Sequence, residues 1–452
     1  MSRDDQGGHP VQLESQKALD AWNATVRGFL AHSARTPEYL QTVMQEAPGF
    51  ALARIAMSFF LLLLGRAELT EEARRNAAEI ESLARQGALD ARERRYAVAL
   101  EEWLRGRPSA AAAELEGVHR RWPGDALALK LSHGIRFMLG QRSAMRGALE
   151  DALGVYGPDH PLAGFMHGCY AFALEETGAY RSAEGEGRRA LDLAPDDAWA
   201  LHAVTHVYDM TGQSSHGADF VLENRSAWGH CNNFRYHVWW HLALFHLDMG
   251  DYDAVLTLYD HRIRADGTDD YRDIANATSL LARLELEGVD VRARWKELAD
   301  LAERRINDAS VVFADLHYML ALTGDKRTGS AQRLIQRLDS SAAAPSGEMD
   351  AVAARAGVPV AEGLQAFKNT DYQGAYQLLA KARPHLESIG GSHAQRDVFA
   401  RITIDAAIRA GAVREARGLI EQRERERGAT DRFSRSRAAW IDEARRHPET
   451  AV

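Results

Sequence analysis

Residues 164–197 read GFMHGCYAFALEETGAYRSAEGEGRRALDLAPDD, and this stretch decides the architecture. Tyr170 and Ala171 fall in a first helical run, Gly178 and Tyr180 at a turn, Ala183 and Ala190 in a second run, and Pro195 at its end. Small residues let two antiparallel helices approach, a turn glycine takes the left-handed cap conformation, and proline stops the second helix before another begins. The unit therefore reads as a helix-turn-helix pair. Working outward, helix-ending glycines recur at Gly106, Gly140, Gly178, Gly212, Gly250, Gly288 and Gly324, with spacings of 34, 38, 34, 38, 38 and 36.

A period in the thirties marks an array of helix pairs, and 34 is the length of the tetratricopeptide repeat. Such a pair cannot bury its apolar face alone, so neighbours must stack. The expectation is an all-α chain: an α-solenoid of tetratricopeptide-like helix-turn-helix repeats, wound as a right-handed superhelix in a single continuous array. Residues 1–18 read as a polar N-terminal segment and 19–338 as the repeat solenoid. Residues 340–349, SSAAAPSGEM, read as a loop, and 351–446 as degenerate C-terminal helical repeats closed by a polar capping helix over 431–446.

Composition fits. Of 452 residues, 46% are hydrophobic and 26% charged, enough apolar surface for a continuous core. The formal net charge is −9 and no stretch concentrates Lys and Arg without Asp and Glu interleaved, which argues against nucleic acid as a partner. The arginines of 422–427, QRERER, alternate with glutamates and read as a solvated, ion-paired face. Two cysteines, Cys169 and Cys231, are too few for a disulfide framework and point to a reducing compartment. The first residues lack the apolar core of a secretory signal. The most apolar run, 50–64, contains Arg54 and falls short of the ~20 residues that cross a bilayer. The expected location is cytoplasmic, with no membrane partner.

Aligning the turns at Gly178, Gly212 and Gly250 numbers the first helices in common. The resemblance to tetratricopeptide repeats, whose first helices face inward at their second, fifth, ninth, twelfth and thirteenth positions, then implies inward-facing Phe165, Gly168, Phe172, Glu175 and Glu176, Trp199, His202, His206, Asp209 and Met210, and His237, Trp240, Leu244, Leu247 and Asp248. His202 and His206 are four apart, as are His237 and His241, so each pair shares one helix face. Two imidazoles at that spacing can chelate one metal, but HAVTH and HVWWH lack the Glu of the zinc-protease helix. The four histidines, with Glu175, Asp209 and Asp248 near enough in register to orient their rings, form a candidate site for a divalent metal. Two other readings stand beside it. The histidines can pack and hydrogen-bond between helices, or, with Phe172, Trp199 and Trp240 as walls and Gly168 leaving room, they can line a pocket for a small molecule.

Other polar residues carry less. Asp315 and His317 point apart on one helix, and Cys231 beside His230 is a weak sign of an activated thiol. In GGSHAQRDVF, Ser392 and Gln395 form a capping box, while Arg396 and Asp397 are candidates to point inward.

On ALKLSHGIRFMLG from Ala128, APDDAWALHAVTHVYDM from Ala194, YHVWWHLALFHLDMGDYDAVLTLYDHRI from Tyr236, FADLHYMLALTG from Phe313 and GGSHAQRDVF from Gly390, the chain resembles the tetratricopeptide repeat protein 38 family of bacteria and animals. The resemblance covers most of the chain and implies a helical-repeat fold. His202, His206, His237, His241, Asp260, Asp315, His317, Arg396 and Asp397 fall on that family's motifs. It implies no reaction. Two functional expectations follow: a closed, His/Trp/carboxylate-lined pocket for a small molecule or metal, and a scaffold whose open groove grips a peptide or partner protein.

Overall fold

A computed structural model describes residues 3–446, with side chains to residue 443. The chain folds as successive helix pairs, preceded by one short antiparallel strand pair, Arg3–Asp4 with Pro10–Val11. Cα packing divides it into two compact units. One comprises the chain up to Val204 together with Asn224–Arg235; the other comprises Thr205–Glu223 together with the chain from Tyr236 on.

In the first unit the pairs are Gln16–Leu30 with Thr36–Glu46, Ala51–Leu63 with Ala67–Arg85, Ala91–Leu104 with Pro108–Arg121, Ala126–Met138 with Arg142–Ala152, and Ala163–Glu176 with Tyr180–Leu193. The residues that read as a repeat do what the reading asks of them. Ala183 and Ala190 are fully buried. Gly187 lies so close to the next helix that a Cβ there would sit 2.5 Å from Val204 Cγ2. Gly106, Gly140 and Gly178 turn the chain with φ of 77°, 65° and 80°, a region open to glycine without a steric cost. At each turn the same two backbone bonds recur, as in Gly178 N–H to Glu175 O and Ala179 N–H to Leu174 O.

The second unit continues with Ser214–Glu223, most of Phe234–Met249, Tyr252–Leu258, and the pairs Tyr271–Leu286 with Arg292–Arg305, Val312–Gly324 with Thr328–Ala343, Val358–Lys368 with Tyr372–Ala382, and His393–Arg409 with Val413–Arg427, before the final helix Arg432–Arg446. Helix Ala198–Met210 supplies residues to both units. Three expectations change here. Gly324 does not make the left-handed turn; Lys326 does, at φ 56°. Gly324 is small because the Trp295 ring lies on it, 2.4 Å from where a Cβ would stand. The expected loop over 340–349 shrinks to 344–347, since Thr328–Ala343 runs through its first half and a helix restarts at Glu348.

The third correction concerns the arginine-glutamate run 422–427, where Arg423 and Arg427 are buried at 4% and 6% exposure. They stand four apart, on one helix face, and meet carboxylates from other helices. Arg423 donates to Asp397 at 2.6 and 2.9 Å and to Asp431 at 2.8 and 2.7 Å, while Arg427 donates to Asp209 Oδ1 at 2.9 Å. Arg401 adds bonds to Asp397 and Asp431. Asp397 and Asp431 are held far below the usual carboxylate range, against the opposing effect of burial, by Arg423 and Arg401. Asp431 also accepts the Ser434 N–H at 2.9 Å, capping the last helix.

Two outcomes follow for stability. Gly187→Ala should destabilise the fold by about 1–3 kcal/mol through overpacking against Val204, read by denaturant unfolding; an unchanged midpoint would contradict the close approach. Asp431→Ala should cost about 3–5 kcal/mol, because it strands buried guanidinium groups, whereas Asp260→Ala, removing an ion pair with Arg294 that is partly exposed, should cost under about 1 kcal/mol.

Candidate functional site

The residues the sequence offers for a pocket or a metal, Phe172, Glu175, Trp199, His202, His206, Asp209, His237, Trp240 and His241, are all buried, none more than 9% exposed. The chemistry therefore sits inside packed helices and not on an open groove.

In the second unit the decisive geometry begins with a helix cap. Ser392 Oγ accepts the Gln395 N–H at 3.2 Å and Gln395 Oε1 accepts the Ser392 N–H at 3.0 Å, the reciprocal pair of a capping box. With its oxygen thus engaged, Gln395 presents its amide nitrogen to Asn276 Oδ1 at 3.3 Å. Asn276 Oδ1 is consequently an acceptor, and His237 Nδ1, 3.1 Å from it, carries the proton that it accepts. This assigns the tautomer from the network. His237 Nε2 is left with its lone pair, aimed at His241 Nε2 at 3.1 Å.

His206 comes against the same pair. Its ring centroid lies 4.5 Å from that of His241 and 5.5 Å from that of His393. His206, His237 and His241 each offer a ring nitrogen, and these nitrogens lie within 4.8 Å of one another. His202 stands one turn before His206 on the same helix. Burial drives all three rings of the trio toward the neutral form: His237 to about 4, opposed by its bond to Asn276, and His206 and His241 well below the ordinary value, where neighbouring histidines, with Arg396 for His206 and Arg283 for His241, add to the effect. Neutral imidazole is the metal-binding form.

The remaining candidates have other tasks. Trp240 stacks on His237 at 5.2 Å between centroids, and the Arg283 guanidinium lies 5.7 Å from its ring. Arg283 in turn donates to Ala394 O at 2.6 Å. Asp209 is held by Arg427 and so does not orient a ring, and Asp248 accepts from Ser214 Oγ and the Arg432 N–H, both at 2.7 Å. Asp397 belongs to the arginine network, and Asp315 pairs with Arg337 while His317 Nδ1 bonds Phe313 O at 2.7 Å.

The first unit holds an aromatic cluster. Trp199 packs with Phe172, His202 and Phe234 at 4.6, 4.9 and 5.6 Å, donates from Nε1 to His133 Nε2 at 3.0 Å, and carries Lys130 Nζ 4.5 Å over its ring. Glu175 and Glu176 are buried on helix Ala163–Glu176. Gly168 does not leave room for a ligand, contrary to expectation: the Asp197 carboxylate occupies that space, 2.0 Å from where a Cβ would be. Burial raises Asp197 to about 7, opposed by Lys130.

The sequence reading missed a cavity of about 240 Å3 in the second unit, lined by Glu285, Trp295, Lys368, Thr370 and Arg409 among others. Its lining residues are far apart in the chain and form no motif.

No protein-family model matches the chain. Among solved structures it is similar to the human IFIT1 dimer with PPP-AAAA, at 12% identity over 96% of this chain and 95% of that one, with a TM-score of 0.43. It is also similar to yeast Tom70, at 13% identity over 95% and 88% with a TM-score of 0.36, and to Naa15/Naa10 bound to HypK-THB, at 14% over 97% and 67% with a TM-score of 0.25. The chain is a helical-repeat protein. That fold rests on its own paired helices and recurrent turns. Among the described residues, no helix is long and apolar enough to cross a membrane.

Neither cysteine is an activated thiol. Burial pushes Cys231 up to about 12 and Cys169 up to about 11, and His230 Nε2 lies 3.9 Å from Cys231 Sγ. At pH 8 both should react with a thiol reagent about a hundred-fold or more slower than free cysteine, becoming fast on unfolding. Rapid labelling of the native protein would contradict this.

Proposed function

We propose that the histidine core of the second unit binds one imidazole-preferring divalent ion of the zinc type, making this a helical-repeat protein organised around an internal metal. The observation that carries the reading is the pair of Nε2 atoms, His237 and His241, facing each other at 3.1 Å. Two imidazole nitrogens about 2.0–2.1 Å from one tetrahedral zinc stand about 3.3 Å apart, so small ring movements admit the ion. His206 is a third ligand, and His202, one turn back on its helix, is the fourth imidazole the sequence offers.

The outer shell supports it. A ligating histidine usually gives its other N–H to an oriented acceptor that fixes the tautomer, and Asn276, held by Gln395, has that role for His237. An all-imidazole set suits zinc, copper or nickel better than calcium or magnesium. Full burial favours a closed, structural centre over a catalytic one, which needs an open coordination position. When bound, the ion would tie together the helices that carry these ligands. The finer kinship, with the tetratricopeptide repeat protein 38 family, is part of this proposal through the same histidines. Helical repeats commonly serve as binding scaffolds, and an internal metal leaves the outer helix faces available to a protein or peptide partner.

The experiment is metal analysis of tag-free protein by plasma mass spectrometry, with thermal melts before and after chelation. About one equivalent of metal should be found, lost in His237→Ala and in His241→Ala while helix content is retained. Asn276→Ala should weaken affinity about 10–100-fold. Wild-type protein that stays metal-free after zinc dialysis, with a melt unmoved by chelator, would sink the reading.

A further inference from the structure

The second unit's cavity lies apart from the histidine core. Its body is apolar, with Leu320, Leu364 and Ile402 beside the rings of Trp295 and Phe367, and its volume of about 240 Å3 suits a small organic molecule. What fixes the ligand class is the charge left over at its wall. Glu285 has both oxygens engaged, Oε1 by Trp295 Nε1 at 2.9 Å and Oε2 by Lys368 Nζ. That carboxylate and that ammonium offset each other in charge, while the ammonium, with three donors, has others to share.

Arg409 is not balanced in this way. Its guanidinium is held between two rings, 5.3 Å from Tyr372 and 5.2 Å from Trp440. Its nearest carboxylate oxygen, Asp405 Oδ2, is 3.8 Å away, and Asp405 already accepts from Arg437 Nε at 2.8 Å. Among the described residues Arg409 therefore lines the cavity as a pre-oriented cation with its hydrogen-bonding fork unspent. A planar guanidinium of this kind matches a carboxylate with two parallel bonds.

A second, independent observation lies at the same wall. The turn between Val358–Lys368 and Tyr372–Ala382 has the backbone bonds of the other turns, Thr370 N–H to Phe367 O and Asp371 N–H to Ala366 O. At eight other turns, from Gly87 to Gly411, that residue is a glycine with positive φ; here, as at His32 and Lys326, it is not, and Thr370 takes φ 63°. A β-branched residue there is strained, and strain of this sort concentrates where a side chain is wanted for binding. Thr370 lines the cavity together with Lys368 and Arg409.

We infer that this cavity binds a small organic carboxylate with an apolar or aromatic body, its anionic end taken by Arg409 with help from Lys368 and the Thr370 hydroxyl, and its body lodged against Trp295 and Phe367. The inference is independent of the metal proposal, because His237→Ala protein should keep this site.

The test titrates the full chain by calorimetry with benzoate, phenylacetate and indole-3-acetate, each against its neutral amide. At least one acid should bind in the millimolar range or tighter, and at least ten-fold tighter than its amide. Arg409→Met, which keeps the apolar stem on the rings, should lose ten-fold or more with little change in melting. Lys368→Met is the second variant should that one melt early, and should lose several-fold. Thr370→Gly should raise the melting midpoint, by relieving strain, yet weaken the acid. Absence of binding by all three acids at millimolar concentration, equal binding of acid and amide, or undiminished binding by Arg409→Met would each overturn the inference.

Discussion

A pair of antiparallel helices has one apolar face that it cannot cover by itself, and the rest of this structure depends on how neighbouring pairs cover it. Coverage requires close approach. Gly187 against Val204 and Gly217 against the Phe245 ring leave no space for even a Cβ. Wherever helices approach this closely, the first helix of a pair is enclosed nearly all round, which is why Ala163–Glu176 and Val312–Gly324 are buried along almost their whole length.

Enclosure decides what polar residues on those helices can do. A buried polar group without a partner is costly, and several here are drawn into networks. In the first unit Lys130 sits over Trp199, and Trp199 bonds His133. In the second, Ser392 fixes Gln395, Gln395 fixes Asn276, and Asn276 fixes the His237 proton. This last chain runs from a local helix cap to the lone pair of an imidazole on another helix. It converts a packing arrangement into an imidazole of fixed tautomer and orientation. The arginine-aspartate network works differently: its charges are already satisfied by each other, and it fastens Val413–Arg427 and the final helix to the rest of the second unit.

Much of the fold was legible because its signals are local. A left-handed turn favours glycine, and Gly106 through Gly288 mark such turns directly. Histidines four apart must share a helix face, so the pairs His202/His206 and His237/His241 could be read without coordinates. What was not legible depends on contacts between residues far apart in the chain. Gly168 looks like an open position until Asp197 fills it, and Gly324 looks like another turn until Trp295 is seen lying on it. The run 422–427 has the alternation of a solvated face, yet Arg427 reaches Asp209, 218 residues away. The cavity at Arg409 draws its wall from six helices and the turn at Thr370, and no linear motif records it.

The central claim, that the second unit's histidine core holds a metal, is tested most directly by X-ray absorption at the zinc edge on tag-free protein reconstituted with one equivalent of zinc. The account predicts a shell of three or four imidazole nitrogens at about 2.0 Å, with the outer-ring scattering of histidine, that disappears in the His237→Ala and His241→Ala variants. An all-oxygen shell indistinguishable from hydrated zinc, or an imidazole shell that persists in both variants, would contradict it.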